Sequence, residues 1–372
     1  MPEAKFHQKI AWFNFICCLM VIWTHSGNAD LFFPELGKDA PWWHFQYPVM
    51  QEILRVDIPC FIMLSAYLFY RNFTMKRLGE KLNKRLHSLL VPYLLWNTIY
   101  YVAYVAASRI PGLQTIANRT DLVITPSGAW QAITKYTFNP VFWFMYQIIL
   151  LVLLAPVLYL FLKNIWTGAA FLLVLLVALF KGVALPELNL DAMIYYSFAA
   201  YAALHGRKWA EAVWSWKRAA LGVCLLAVGI VLSRSYYTHY FVPGIVLYQL
   251  LAVIGIWMMV NERWLGEVRP FMTCTFFIYA THFVVVRFLN KAAALLFPGS
   301  QLVSMFMYVC MPLLAVTLCY QAARVLRRYR PDIWKTLNGD VDKKQDFTVE
   351  RQVSLETEVR VCVFSGPSLE NT

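Results

Sequence analysis

Apolar residues fall in long runs along most of this chain, unlike the alternation of a half-buried strand or the narrow stripe of a soluble amphipathic helix. Ten runs approach the roughly 20 residues that a helix needs to cross a bilayer: 10–26, 52–70, 88–107, 141–162, 168–185, 191–206, 219–233, 242–260, 271–290 and 304–323. They predict an all-α, polytopic membrane protein of about ten transmembrane helices. Prolines 59, 92, 156 and 312 fall within or at the ends of these runs, which is tolerated where neighbouring helices or water satisfy the freed carbonyls. Thr24-His25-Ser26-Gly27-Asn28 follows the first run in place of a small-x-small cleavage site, so this run is expected to remain as a span. The pattern changes near the C-terminus, dividing the chain into a transmembrane domain, 1–340, and a polar cytosolic tail, 341–372. In the tail Val353, Leu355, Thr357, Val359, Val361 and Val363 alternate with polar residues, which fits either a small hairpin or a disordered segment. No repeat of fixed period is visible.

Composition strengthens the membrane reading. Of 372 residues, 60% are hydrophobic and only 15% charged, against roughly 25% charged in soluble proteins. A water-soluble core that large would leave too few polar groups to cover the outside. The net charge of +12 would suggest nucleic acid in a soluble protein, but the distribution of charge explains it otherwise. With the N-terminus in the cytosol, most of the 33 basic residues fall on cytosolic segments, as the positive-inside rule requires. Both termini are then cytosolic, the long outer segments are 27–51 and 108–140, and no nucleic-acid partner is expected. Seven of the eight cysteines sit in apolar runs and only Cys362 lies in polar sequence, so they read as packing residues rather than a disulfide framework. With no CxxC and no histidine pair at ligand spacing, no metal site is expected.

Candidate chemistry begins with His25, near the outer end of the first span. An ionisable side chain at that depth is costly unless it faces the bundle interior or a wet cavity. Cys18 and Asn14 lie seven and eleven residues before it, on the same helical face, with Asn14 about 16 Å below. This face reads as one wall of a polar slot across the membrane. A histidine simply hydrogen-bonded at the interface beside Thr24 and Ser26 is the structural alternative. Thr275, Tyr279 and His282 form a second inward stripe at the i, i+4, i+7 spacing of one helix face; His282 either completes a site with His25 or bonds a neighbouring helix. Six cations between Arg71 and Arg85 would suit a polyphosphate ligand at the inner mouth. Topogenic charge accounts for Lys76 and Lys81 equally well, and Arg85 stands out because it enters the membrane. Asp57 could orient a histidine or pair with Arg55.

Several stretches together resemble the acyltransferase 3 family of bacterial integral-membrane O-acyltransferases: Asn14 to His25, Pro59 to Leu68, Lys84-Arg85 through Pro92-Tyr93, Phe142-Trp143-Phe144, and Phe277 to His282. The resemblance spans about 9–340 and leaves out the tail. It implies a ten-helix domain that moves acyl groups, usually acetyl, from cytosolic acyl-CoA to hydroxyls of surface glycans or related molecules. No cofactor is bound permanently; acetyl-CoA or another acyl-CoA is a co-substrate. The family's first-span histidine maps onto His25, with His282 as a second catalytic candidate. Asn14, Arg71, Lys84 and Arg85 are the expected donor contacts, and Ser65, Trp143, Tyr279 and Asp57 the expected substrate contacts. Two departures stand out. Asn14 replaces a frequent arginine, and an amide cannot pair with phosphate as a guanidinium does; Ser65-Ala66 replaces Ser-Gly. A neutral imidazole suits deprotonation of a sugar hydroxyl as it attacks a thioester, and an acyl-imidazole intermediate is a second route. A non-enzymatic carrier or flippase for a glycan or lipid intermediate would share these intramembrane histidines and aromatic outer loops.

Overall fold

A computed structural model describes residues 1–114 and 121–339; the tail and its alternating segment at 353–363 lie outside the described residues. Ten principal helices follow one another: α1 Glu3–Thr24, α2 Asp57–Tyr70, α3 Leu78–Ala107, α4 Trp143–Leu162, α5 Ile165–Phe180, α6 Leu190–His205, α7 Trp216–His239, α8 Val242–Met259, α9 Thr275–Leu296 and α10 Gln301–Tyr329. A short α11, Pro331–Asn338, closes the described chain. These helices fall on the ten expected runs. Eight helical segments are long and apolar enough to cross a membrane, and the protein is a polytopic membrane protein. The other two principal helices, α5 and α6, have 16 residues each, about 24 Å of rise against a hydrocarbon core of ~30 Å. The fifth run was expected to continue to 185, but Lys181-Gly182, with Gly182 at φ 66°, turns the chain out after Phe180. Asn164 starts that helix earlier than expected, its Oδ1 accepting from the amides of Trp166 at 2.8 Å and Thr167 at 3.3 Å.

Beyond its polar first two turns α1 is apolar on nearly every face, Asn14 excepted, as a helix packed between two clusters should be. Phe6, Ile10, Phe13 and Cys17 join one apolar cluster with α2, α6 and α8. Phe15, Cys18, Val21 and Ile22 join a second with α3, α9 and α10. The basic side, taken as inner, fastens the lower end of α1. Lys9 is buried there, donating to the carbonyls of Trp257 at 2.7 Å and Val260 at 2.8 Å, the cationic cap that the end of α8 calls for. Arg71 is buried nearby between Glu3 and Glu211. It donates to Glu3 at 2.5 and 2.7 Å and to Glu211 at 2.7 and 2.9 Å, while Tyr67 and Arg207 also donate to Glu211. Arg71 was expected to contact the donor's phosphates; its guanidinium is instead engaged by two carboxylates and ties α1 and α2 to the segment after α6.

At the outer end the chain between α1 and α2 folds back over the bundle as short turns. Asn28 and Gln46 lock this segment. The amides of Asn28 and Ala29 donate to Gln46 Oε1 at 3.0 and 3.1 Å, and Gln46 Nε2 donates to Asn28 Oδ1 at 3.0 Å. Asn28 Nδ2 reaches Asn290 Oδ1 and the Ser304 carbonyl, Ser304 Oγ donates to Asn28 Oδ1, and Asn290 Nδ2 donates to the Ser26 carbonyl. This buried network pins the chain immediately after His25 to α9 and α10.

Candidate active site

His25 is the C-terminal cap residue of α1; its amide still bonds back to the helix while its ring turns into the bundle. It lines an outer cavity of about 690 Å³ together with Asp57 and Pro59 of α2, Val141 and Trp143 at the head of α4, and Tyr279 of α9. Asp57 is buried and accepts from the amide of Ile58 at 2.6 Å through Oδ1. Trp143 is half-buried. Tyr279 donates to the Val141 carbonyl at 2.5 Å and stacks on Phe142 with ring centres 5.7 Å apart, so its hydroxyl fixes the head of α4 against α9.

His282 lies one turn above Tyr279, fully buried, its ring centre 5.6 Å from that of His25. Its Nδ1 lies 2.6 Å from the Tyr279 carbonyl. A carbonyl only accepts, so Nδ1 carries the proton and, in the neutral ring, Nε2 keeps its lone pair. That Nε2 is buried without a protein partner. The His25 ring lies beside it, with ring centres 5.6 Å apart and no hydrogen bond between the two. Phe283 packs edge-on against His25 at 5.4 Å and confines the ring on the far side.

The structure therefore brings His25, Asp57, Trp143 and Tyr279 to one cavity wall, with His282 directly behind His25. It places the remaining expected residues elsewhere. Asn14, Ser65 and Arg85 are half-buried and Lys84 is exposed; none lines the outer cavity. The wall expected to run from Asn14 to His25 is interrupted at Cys18. That side chain is fully buried with Sγ 3.8 Å from the Thr275 carbonyl, because α1 and α9 pack directly there. Aromatic rings crowd the same level: Phe61 on Phe144 at 5.7 Å and Phe144 on Tyr279 at 5.9 Å.

Sequence reasoning missed several polar residues around this cavity: Arg55, Asp191 and Gln249 line it. Gln249 gave the clearest signal, an amide inside an apolar run. The same signal was present for Asn290, eight residues beyond His282 on α9.

The model of the acyltransferase 3 family, described as an acyltransferase domain, matches residues 9–324. The chain belongs to the acyltransferase 3 family. It is a membrane enzyme that transfers acyl groups, and the carrier reading gives way to that assignment. The chain is also similar to the Succinoglycan biosynthesis protein ExoH of Rhizobium meliloti (strain 1021), 24% identical over 361 residues that cover 91% of this chain and 93% of that protein. No solved structure matches it.

Proposed function

We propose that this acyltransferase is an O-acyltransferase of the cytoplasmic membrane that moves an acyl group, acetyl in the simplest case, from cytosolic acyl-CoA to a hydroxyl of a surface polysaccharide. The observation that carries the reading is His25 on the wall of the outer cavity with His282 behind it. A polysaccharide acceptor is supported by the similarity to a succinoglycan biosynthesis protein and by a cavity within the roughly 300–1,000 Å³ typical of small-molecule sites.

His25 acts as general base. Its nitrogen facing the cavity takes the proton of the acceptor hydroxyl as that oxygen attacks the thioester carbonyl; the C–S bond breaks, and the imidazolium returns the proton to the departing thiolate. His282 is a positioning residue: its unprotonated Nε2, unpartnered in the resting structure, becomes an acceptor for the other nitrogen of His25 as the imidazolium forms, and so stabilises that cation. Asp57 adds a carboxylate on the same wall, which favours the developing positive charge on His25. On the donor side, Lys84 and Arg85 meet the nucleotide phosphates at the inner mouth, and the pantetheine arm rises past Ser65 toward the aromatic layer at Phe61 and Phe144.

Two measurements test the reading. Purified protein in nanodiscs should consume acetyl-CoA in the presence of a polysaccharide acceptor, and surface polymers from cells lacking the gene should lose an ester that returns on complementation, read by mass spectrometry. Identical polymers in both strains, with no acetyl-CoA consumed in vitro, would contradict it.

A further inference from the structure

Arg55 stands at the turn that leads into α2 and lines the outer cavity. Its backbone carbonyl accepts from Gln249 Nε2 at 3.0 Å, and Gln249 Oε1 in turn accepts from Tyr195 at 2.5 Å, so the residue is anchored to α6 and α8 through its main chain. Its side chain is within electrostatic reach of Asp57 and Asp191. Among the described residues, no hydrogen bond or ion pair engages the guanidinium. Asp191, at the start of α6, lines the same cavity and uses Oδ1 to accept from the Ala192 amide at 2.8 Å, leaving Oδ2 open. The loop before it is held by buried Gln147, which donates to the Glu187 carbonyl at 3.1 Å and accepts from the Asn189 amide at 2.8 Å. Both residues are therefore anchored by hydrogen bonds at or near their main chain while they line the same cavity.

A guanidinium and a carboxylate that approach without meeting leave room for a group that both donates and accepts. A sugar diol is such a group: its O–H donates to a carboxylate while its oxygens accept from the two-pronged N–H edge of arginine. Trp143 on the same wall offers a half-buried aromatic surface for the apolar face of a pyranose ring. Charge decides between sugar classes. Two carboxyl side chains, Asp57 and Asp191, line the wall with one guanidinium, so a uronate or other acidic sugar would compete with them for Arg55, whereas a neutral sugar meets no such competition.

We propose that Arg55 and Asp191 form an acceptor subsite that binds the vicinal hydroxyls of a neutral sugar residue and discriminates against acidic sugars. This rests on the O-acyltransferase reading for its context, but the binding event can be read separately. Saturation-transfer NMR of the full-length protein in nanodiscs, without acyl-CoA, compares β-gluco- and β-galacto-configured neutral hexasaccharides with the same compounds oxidised at C6 to uronates. At least one neutral probe should bind, and its oxidised counterpart should bind about tenfold or more weakly. Arg55→Gln and Asp191→Asn should each weaken neutral binding by about tenfold, the scale of one charge-assisted hydrogen bond; Asn retains an acceptor for the Ala192 amide, so at least this variant keeps the local fold. His25→Ala should keep the binding while losing transfer. Equal or tighter binding of the oxidised probes, no binding of any neutral probe, or wild-type affinity in both variants would overturn the subsite. Sugar binding without acyl transfer by the wild type would overturn the enzymatic role of His25 and leave the subsite standing.

Discussion

His25 and His282 show how two identical side chains come to stand in different surroundings. His25 faces a cavity, whereas His282 is sealed behind it with Nδ1 committed to the Tyr279 carbonyl. Replacing His282 by Phe keeps an aromatic ring at the site but removes the lone pair on Nε2 and the Nδ1–H bond to Tyr279, so kcat should fall by about 10²-fold, toward the lower end of general-base contributions. KM for the acceptor should change little, since His282 does not line the outer cavity; steady-state kinetics with the acceptor varied would check this, and an unchanged kcat would assign His282 to packing alone. Arg85→Ala should raise KM for acetyl-CoA more than KM for the acceptor; unchanged donor dependence would return Arg85 to the topogenic charges. Both histidines and Tyr279 were legible in the sequence because polar groups inside apolar runs are costly and need a reason. Arg55 and Asp191 were not, because charges at the ends of such runs are ordinary and nothing in the order of residues shows that they face one cavity. Arg71 was misread for a related reason: its partners Glu3 and Glu211 stand 68 and 140 residues away, and a local run of cations does not reveal which one is already paired.

At the scale of elements, the outer cavity depends on α8, which supplies Ile245, Val246 and Gln249 to its wall. α8 is seated by α7 through Gly222 and Gly255. A Cβ on either glycine would come within 2.6 Å of the other's carbonyl oxygen, so the two backbones touch as small residues permit in membrane helix pairs. Gly255→Val should push the pair apart, cost about 2 kcal/mol and lower the unfolding temperature read by intrinsic fluorescence. An unchanged midpoint would mean that the close approach is not required. Helix existence and order were readable from hydropathy alone, because each backbone in a bilayer must satisfy its own hydrogen bonds. The end of α5 was not, since Val183, Ala184 and Leu185 continue the apolar pattern beyond the turn at Gly182.

For the whole molecule, the inner ends of α1 and α2 and the segment after α6 are joined by the Arg71 cluster. Burial pushes the Glu211 carboxyl up, but hydrogen bonds from Arg71, Tyr67 and Arg207 outweigh it and hold the group below its usual range. A carboxyl depressed in the folded state contributes stability that is present above the unfolded value, about 4.3, and is lost as pH falls through the folded value. Unfolding temperature should therefore decline below about pH 4, and Arg71→Ala should cost roughly 3 kcal/mol by removing the buried cation that Glu3 and Glu211 share while flattening that acid limb. A variant with wild-type stability and an unchanged pH profile would refute the structural assignment of Arg71. The general architecture was legible at this scale, but the slot once expected to run down α1 was not a property the sequence could decide. Asn14, Cys18 and His25 do share a face, yet helix packing at Cys18 and the rings of Phe61, Phe144 and Tyr279 determine where space remains.

The most direct test follows radiolabel from acetyl-CoA to polysaccharide in nanodiscs, comparing wild-type protein with His25→Ala protein matched for helix content and elution volume. Loss of at least about 10³-fold in transfer, within the span expected for removing a general base, is the predicted result; label arriving at a rate near that of the wild type would contradict the account.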